Sequence, residues 1–354
     1  MSSGEHRQVR SNTFASLSYF VANAAIALWL VPYLIGKIGV DGYGLVVLGL
    51  SLTAYVNLAA GSVNTSISRF LTVDINRGEL DRANETFNTA LFGAFLGIAV
   101  ALPLLWIFAA NVASIVNIPE AYSHSASAFV MLLALAFVST FLRNIMTVPA
   151  FAQNRLDLIF VCQAIDLVVR ILIIVALMSM LVPDVWQVGT GVLGGALAAL
   201  LVSVVIWRVL APYLTVSPGD IRRTRFSELF TMSAWVMVNS TGALLFLNVD
   251  LIVANQLLGA TAAGQFGAIL QIVIALRSAA SLLARIVAPL FFARYAKGDF
   301  SELELLLKRS MQYLGIIVAC PIGILCAWSG DFLTLWLGPE FTHLQWLIWI
   351  ATLH

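Results

Sequence analysis

Nine apolar runs, each long enough to cross a lipid bilayer, follow one another along the 354 residues of this chain. Hydrophobic residues make up 60% of the sequence and charged residues only 10%, against about a quarter in a soluble protein. This pattern excludes a soluble fold and predicts an all-α, polytopic membrane helix bundle of about ten transmembrane helices. The runs lie at 13–35, 43–68, 87–110, 125–148, 158–182, 189–211, 229–257, 263–292 and 309–328, and an incomplete tenth begins near residue 344.

The basic residues indicate on which side of the membrane each loop lies. If the N-terminus lies inside, fifteen of the 19 Lys and Arg residues, Arg143 among them, lie in inner segments or at the inner ends of spans. Three more lie deeper within spans, and only Lys37 falls in an outer connection. Because inner loops are enriched in Lys and Arg, this distribution predicts a cytoplasmic N-terminus. The outer loops are short, which leaves no room for an extramembrane catalytic domain.

Composition and motifs exclude several classes of function. The formal net charge of +1 offers no concentrated basic surface for nucleic acid. Cys162, Cys320 and Cys326 lie in apolar runs and lack metal-ligand spacing. The sequence contains no Walker-type phosphate loop, metalloprotease motif or plausible catalytic triad. It therefore predicts a protein that is not an enzyme and that carries no cofactor or metal.

When the sequence is shifted against itself by 220 residues, its two halves align without gaps. In this alignment the inner basic turn at 77–80 (Arg-Gly-Glu-Leu) matches the turn at 297–300 (Lys-Gly-Asp-Phe). Both copies begin on the inner side, so the predicted duplication is parallel, an arrangement found in transporters. We expect a first six-helix lobe at 1–212, a cytoplasmic basic linker at 213–228 and the start of a second lobe at 229–354. The superposed glycines are Gly39 with Gly259, Gly44 with Gly264 and Gly78 with Gly298.

Charged side chains within spans are costly and mark either substrate pathways or ion pairs. Asp166 and Arg170 stand four residues apart, so they can pair along one helix; a structural pair and a direct role in transport both stay open. Arg277 and Arg285 stand eight apart and share a face of the eighth predicted helix. With Asp250 as their acidic neighbour they leave a surplus positive charge, which suits an anionic substrate such as a phosphate. The alternatives are that Arg285 snorkels to the interface and that Arg277 pairs with Asp250.

Asparagines add further candidate cavity residues. Asn57 and Asn64 are seven apart and share one face of the second predicted helix, and we expect Asn23 to face the same space. Such a polar stripe can line a cavity or hold packed membrane helices together, and both interpretations stay open.

Coupling to an ion has its own candidates. Asn239 and Asp250 are eleven apart, which places them on one helix face, where a carboxylate could bind a proton or Na⁺. Asp166 is a second candidate, although either carboxylate could instead serve only to pair with an arginine.

These features resemble a known group. The outer-turn patterns IGKIGVDGYGLVVLG and QLLGATAAGQFGAIL, the inner elbow INRGELDRANETFN and the basic linker are similar to the polysaccharide-transport branch of the multidrug/oligosaccharidyl-lipid/polysaccharide exporter superfamily, which includes oligosaccharide and O-antigen flippases. The resemblance covers nearly the whole chain, although its motifs are loose. It implies two lobes around a central cavity and at least two further helices, so we expect a member truncated at its C-terminus.

The resemblance implies a flippase that moves undecaprenyl-pyrophosphate-linked oligosaccharide across the bacterial inner membrane by alternating access, for O-antigen, capsule or exopolysaccharide assembly. Its implied partners are that substrate, membrane lipids, a coupling proton or Na⁺, and the polysaccharide polymerase and glycosyltransferases of the same pathway. The competing functions are a drug or ion antiporter of the same superfamily and a non-transporting fragment or scaffold. A membrane-embedded enzyme would be expected to show a long outer loop.

Overall fold

A computed structural model describes the backbone of residues 3–112, 116–296 and 300–353, with all side chains in these ranges except those of residues 3–6, 9, 52–60, 243–248, 281–296, 303 and 353. Within these ranges the secondary structure is helical, with no strand. The α-helices are α1 (Ser3–Asn76), α2 (Leu80–Ala110), α3 (Ser123–Met146), α4 (Val148–Ala152), α5 (Leu156–Met180), α6 (Val185–Leu210), α7 (Arg223–Ala296), α8 (Phe300–Ala327), α9 (Ser329–Trp336) and α10 (Gln345–Leu353).

Helices α1 and α7 are each 74 residues long, and each is broken at one glycine. Gly39 has φ 69° and ψ 173°, and Gly259 has φ 89° and ψ 179°. A side chain with a Cβ rarely adopts such a positive φ, so glycine is needed at both breaks. Two predicted spans lie on each of these helices, one on either side of the break.

The membrane character of the fold follows from helix length and composition. Among the described residues, seven helical segments are long and apolar enough to cross a membrane. The sequence-based fold class, an all-α polytopic bundle, is confirmed.

The predicted duplication is visible in the bounds of the helices. The alignment of the two halves places the start and end of α1 on the start and end of α7, and the start of α2 on the start of α8. It also superposes the breaks at Gly39 and Gly259, which have nearly the same backbone angles. The two copies therefore share one local architecture from the start of the long broken helix to the start of the helix that follows it.

The chain divides into two compact units. Unit 1 contains Met1–Asn23 and Leu34–Gly264, and unit 2 contains Ala24–Tyr33 and Gln265–His354. The first part of α7 therefore belongs to unit 1, and a short piece of α1 belongs to unit 2. The sequence-based lobes are defined by duplication rather than by compactness, and that division stays a prediction.

The connection between α6 and α7 is bound to α2 in unit 1. Asn84 Oδ1 accepts a hydrogen bond of 2.9 Å from Thr215 N, and Asn88 Oδ1 accepts one of 2.7 Å from Ser217 N. Both asparagines thus accept hydrogen bonds from backbone N–H groups of a connection that lies between two helices.

Two arginines of the predicted basic linker, Arg222 and Arg225, form ion pairs with acidic residues of α1 and α2. Arg222 Nε lies 2.9 Å from Glu85 Oε1, and this hydrogen bond raises the pKa of the Arg222 guanidinium above its ordinary value. Arg225 lies within α7 and its Nη2 is 3.4 Å from Oδ1 of the buried Asp74. Arg225 is therefore part of the packing between α1 and α7.

In unit 2, an indole closes a gap in the hydrogen bonding of α1. Pro32 has no N–H, so the Leu28 carbonyl loses its helical partner four residues on. Trp336 Nε1, on α9, donates a hydrogen bond of 2.7 Å to that carbonyl. The carbonyl freed by the proline is thus satisfied by a residue that is distant from it in sequence.

Candidate functional site

A cavity of about 500 Å³ lies within unit 1, among helices α1, α3, α5 and α6. This volume is in the range of small-molecule and cofactor sites. The apolar part of its wall comes from Leu50, Leu133, Ala136, Phe137 and Val192, and the polar part from Tyr19, Thr140, Arg143, Gln163, Asp166 and Arg170.

Two arginines share one carboxylate in this cavity. Asp166, which is buried, accepts a hydrogen bond of 2.7 Å from Arg170 Nη2, one turn further along α5. Its other oxygen, Oδ2, lies 3.1 Å from Nη1 of Arg143 on α3. The pair predicted from the four-residue spacing is confirmed, and a second helix contributes a further cation to it.

The charges in the cavity do not cancel. One carboxylate would neutralise one guanidinium, so the described lining residues carry a formal surplus of one positive charge. A guanidinium has five N–H donors, and Arg170 Nε is a buried donor without a hydrogen-bond partner in the described part of the chain. The arrangement can therefore accept an anion with several oxygen acceptors.

Two glycines on α6 allow α5, the helix that carries Asp166 and Arg170, to pack closely against α6. A Cβ built on Gly195 would lie 2.5 Å from the backbone oxygen of Asp166 and 2.6 Å from its Oδ1. A Cβ on Gly191 would lie 2.9 Å from the backbone oxygen of Arg170. Real Cβ atoms do not approach so closely, so α5 can take this position only because both residues are glycine.

The structure brings together few of the cavity residues expected from the sequence. Among the described side chains, Arg170 lines the cavity of unit 1, Asn64 is half-buried and Asn23 is exposed. Asn64 Oδ1 is buried without a hydrogen-bond partner in the described residues, which leaves it available as an acceptor. Arg277 is half-buried in unit 2. The side chains of Asn57 and Arg285 lie outside the described residues.

The ion-coupling candidates are also dispersed. Asp166 lines the cavity, whereas Asp250 and Asn239 are exposed side chains of α7. The pairing of Asp250 with Arg277, which is the alternative to an anion site, stays a hypothesis.

Tyr19, Thr140, Arg143 and Gln163 are the polar cavity residues that the sequence did not reveal. Arg143 lies in the last turn of α3, and it is one of the fifteen basic residues that the sequence places on the inner side. Gln163 stands three residues before Asp166 and seven before Arg170, a spacing that places all three on one helix face and could have identified it. Tyr19 has no comparable signal, because only the tertiary fold brings α1 beside α5.

A family model described as polysaccharide biosynthesis protein matches residues 9–293. The chain belongs to this family. It is 31% identical over 340 residues to the uncharacterized membrane protein EpsK of Bacillus subtilis (strain 168). That match covers 96% of this chain and 67% of the relative.

Solved structures show which fold the family member adopts. An inward-facing multidrug resistance MATE family transporter of the MOP superfamily superposes with a TM-score of 0.68 at 14% identity, covering 96% of this chain and 79% of that one. An outward-facing structure of such a transporter gives 0.64 at 11% identity, with 98% and 78% covered. The MATE multidrug transporter DinF-BH, solved as a complex, gives 0.64 at 14% identity, with 95% and 78% covered.

At these identities the likeness establishes the fold alone. The chain is a multi-pass membrane protein of the polysaccharide biosynthesis family, and its fold is similar to that of MATE transporters.

Proposed function

We propose that this polysaccharide biosynthesis family protein moves undecaprenyl-pyrophosphate-linked oligosaccharide across the bacterial inner membrane by alternating access. The observation that carries the proposal is that Asp166 is shared between Arg143 and Arg170. One arginine is enough to neutralise the buried Asp166, and a second, half-buried arginine adds desolvation cost without a carboxylate of its own. A bound anion would supply that partner.

The chemistry of the arginines favours a pyrophosphate. Planar guanidinium groups bind phosphate oxygens through two parallel N–H···O bonds, which a single ammonium cannot do. Thr140 and Gln163, in the same wall, offer groups that can hydrogen-bond a sugar hydroxyl. The lipid tail of the substrate would stay in hydrocarbon. Arg277 and Arg285 of unit 2 remain proposed anion ligands, and Asp166, Asp250 and Asn239 remain proposed sites for a coupling proton or Na⁺.

The orientation and setting belong to the same proposal. The concentration of Lys and Arg in alternate loops supports a cytoplasmic N-terminus, and membership of the family supports a role beside polysaccharide polymerase and glycosyltransferases. Drug export is the competing function, because the solved structures of similar fold include multidrug transporters. The surplus positive charge in the cavity disfavours a cationic drug.

Reconstituted protein tests the proposal. Proteoliposomes of the full chain would receive a fluorescent undecaprenyl-pyrophosphate oligosaccharide, and its movement would be followed by accessibility to an impermeant quencher. We expect Arg143→Gln and Arg170→Gln each to slow transport at least tenfold at normal protein level, with Lys variants intermediate. Arg82→Gln, which removes an exposed cation paired with Glu79, is the matched control. Full transport by both Gln variants would contradict the proposal, and transport of a cationic dye instead would favour the drug exporter.

A further inference from the structure

A second, apolar groove of about 460 Å³ opens on a different face of unit 1, between the second part of α1, α2 and the start of α7. Its floor is buried and includes Ile67, Ala94 and Leu229. Its rim is formed by strongly exposed side chains, among them Leu96 and Leu104. Since α2 is of membrane-spanning length and composition, this rim faces the lipid and the groove is open to the bilayer.

The hydroxyl groups in the groove are already satisfied by the protein. Thr89 Oγ1 accepts a hydrogen bond of 3.1 Å from Arg222 N. Ser233 Oγ donates to the Leu229 carbonyl at 2.7 Å and lies 3.0 Å from Ser66 Oγ. The groove therefore presents hydrocarbon surface, and its occupant in a membrane is a hydrocarbon chain rather than water or a polar ligand.

The length of the groove indicates which chain that is. Along α2 it extends from Thr89, where the apolar part of the helix begins, to Leu104. At about 1.5 Å per residue these fifteen steps span about 22 Å. One leaflet contributes only about half of the roughly 30 Å hydrocarbon core, so an acyl chain of an inner-leaflet phospholipid would end before the groove does. A polyprenyl chain is long enough to cross the midplane and fill it.

The polar end of the groove fits an anionic lipid that enters from the inner side. Thr89 contacts the backbone of Arg222, and Arg223 follows as an exposed residue at the start of α7. Basic residues at this depth attract anionic headgroups. Phe226 and Phe230, stacked at a ring-centroid distance of 6.3 Å, form the wall directly beyond them.

We propose that this groove holds the polyprenyl chain of the lipid-linked substrate while its pyrophosphate and sugars are transferred. The inference rests on the proposed function, and it adds a tail site on α2 and α7 that is separate from the charged cavity among α1, α3, α5 and α6. The lipid would thus be guided by the protein along most of the membrane thickness.

Photo-crosslinking tests the tail site without requiring transport. The full chain would be placed in nanodiscs of phosphatidylethanolamine and phosphatidylglycerol with a sugar-free polyprenyl pyrophosphate that carries a diazirine in the middle of its chain. Mass spectrometry would map the adducts. We expect adducts on residues 89–104 and 226–233, displaced by unlabelled polyprenyl pyrophosphate.

Two variants of α2 distinguish the groove from the surrounding lipid contact. A Cβ on Gly97 meets no atom within 4 Å, so Gly97→Phe can fill the groove without moving the backbone. Ala99, two residues on, is exposed and lies outside the groove lining, so Ala99→Phe is the matched control. We expect the adduct yield to fall about tenfold in Gly97→Phe and to stay unchanged in Ala99→Phe.

The outcomes separate this inference from the proposed function. If the unaltered protein transports the oligosaccharide but the groove takes no polyprenyl label, the tail site is wrong and the transport proposal stands. Labelling of the groove by diazirine phosphatidylglycerol that polyprenyl pyrophosphate cannot displace would show a resident phospholipid and also overturn the inference. If the polyprenyl probe labels the groove but the protein transports no oligosaccharide, the tail site is supported and the proposed function is refuted.

Discussion

Gly44 and Gly264, which occupy equivalent positions in the two copies of the duplication, lie backbone against backbone at the two broken helices. A Cβ on Gly44 would meet the carbonyl oxygen of Ala260, and a Cβ on Gly264 would meet the carbonyl oxygen of Val40. Val40 and Ala260 are themselves equivalent in the duplication. The contact of Gly44 with Ala260 is therefore repeated, with the two copies exchanged, in the contact of Gly264 with Val40. The two copies therefore meet through a symmetric contact of the kind formed at a two-fold interface.

A hydrogen bond reinforces the same contact. Thr261 Oγ1 donates to Asp41 Oδ1 at 2.6 Å, and these two residues are again equivalent in the duplication. Both lie two residues beyond the glycine at which their helix breaks, so the breaks at Gly39 and Gly259 bring equivalent segments of the two copies together.

We expect Gly44→Ala and Gly264→Ala each to lower the free energy of unfolding by about 1–3 kcal/mol, because an added methyl group would force the two backbones apart. The double variant should cost less than the two single costs combined, since one separation accommodates both methyl groups. Thermal unfolding of the purified protein in detergent measures these effects. Gly36→Ala is the control, because a Cβ there meets no atom within 4 Å. Equal stability of Gly44→Ala and Gly36→Ala would show that the backbones are not in contact.

Local spacing accounts for what the sequence predicted correctly. The gapless alignment of the two halves identified Gly44 with Gly264, and the four-residue spacing identified the Asp166–Arg170 pair, because both are properties of the chain order. The sequence could not show that Gly44 and Gly264 touch, or that Arg143 reaches Asp166, because those contacts depend on how separate helices pack. From the sequence alone, Arg143 is expected at the inner interface, because a basic residue near the end of a span usually lies there.

The shared carboxylate makes a specific forecast for protein stability. Arg143→Gln or Arg170→Gln alone should leave the amount of folded protein near normal, since the other arginine still neutralises Asp166. Replacing both arginines should strand a buried carboxylate at a cost of about 3–5 kcal/mol. Adding Asp166→Asn to that double variant should restore the protein level. Size-exclusion chromatography of detergent extracts gives the measurement, and a loss of protein in both single variants would show that each arginine is structural.

The charge asymmetry of the loops predicts which side of the membrane each connection faces. In a background lacking Cys162, Cys320 and Cys326, a cysteine at Gly219 should be protected from an impermeant thiol reagent in intact cells, and one at Val182 should react. Both positions are exposed in the structure, so burial would not mask either one. Disrupted cells, in which both cysteines should react, serve as the control. Reaction at Gly219 in intact cells would reverse the orientation.

The hydrogen bond from Trp336 Nε1 to the Leu28 carbonyl exists because Pro32 has removed the helical donor, and this dependence can be measured. Trp336→Phe keeps most of the apolar surface but removes the donor, so we expect it to destabilise the protein by about 1–3 kcal/mol through the unpaired carbonyl. In a Pro32→Ala background, the N–H of residue 32 can bond to the Leu28 carbonyl in the normal helical pattern. Trp336→Phe should then cost much less, and the difference between the two backgrounds gives the coupling energy. Thermal unfolding of the four proteins of this cycle provides the values. An equal cost in both backgrounds would mean that Trp336 acts through packing alone.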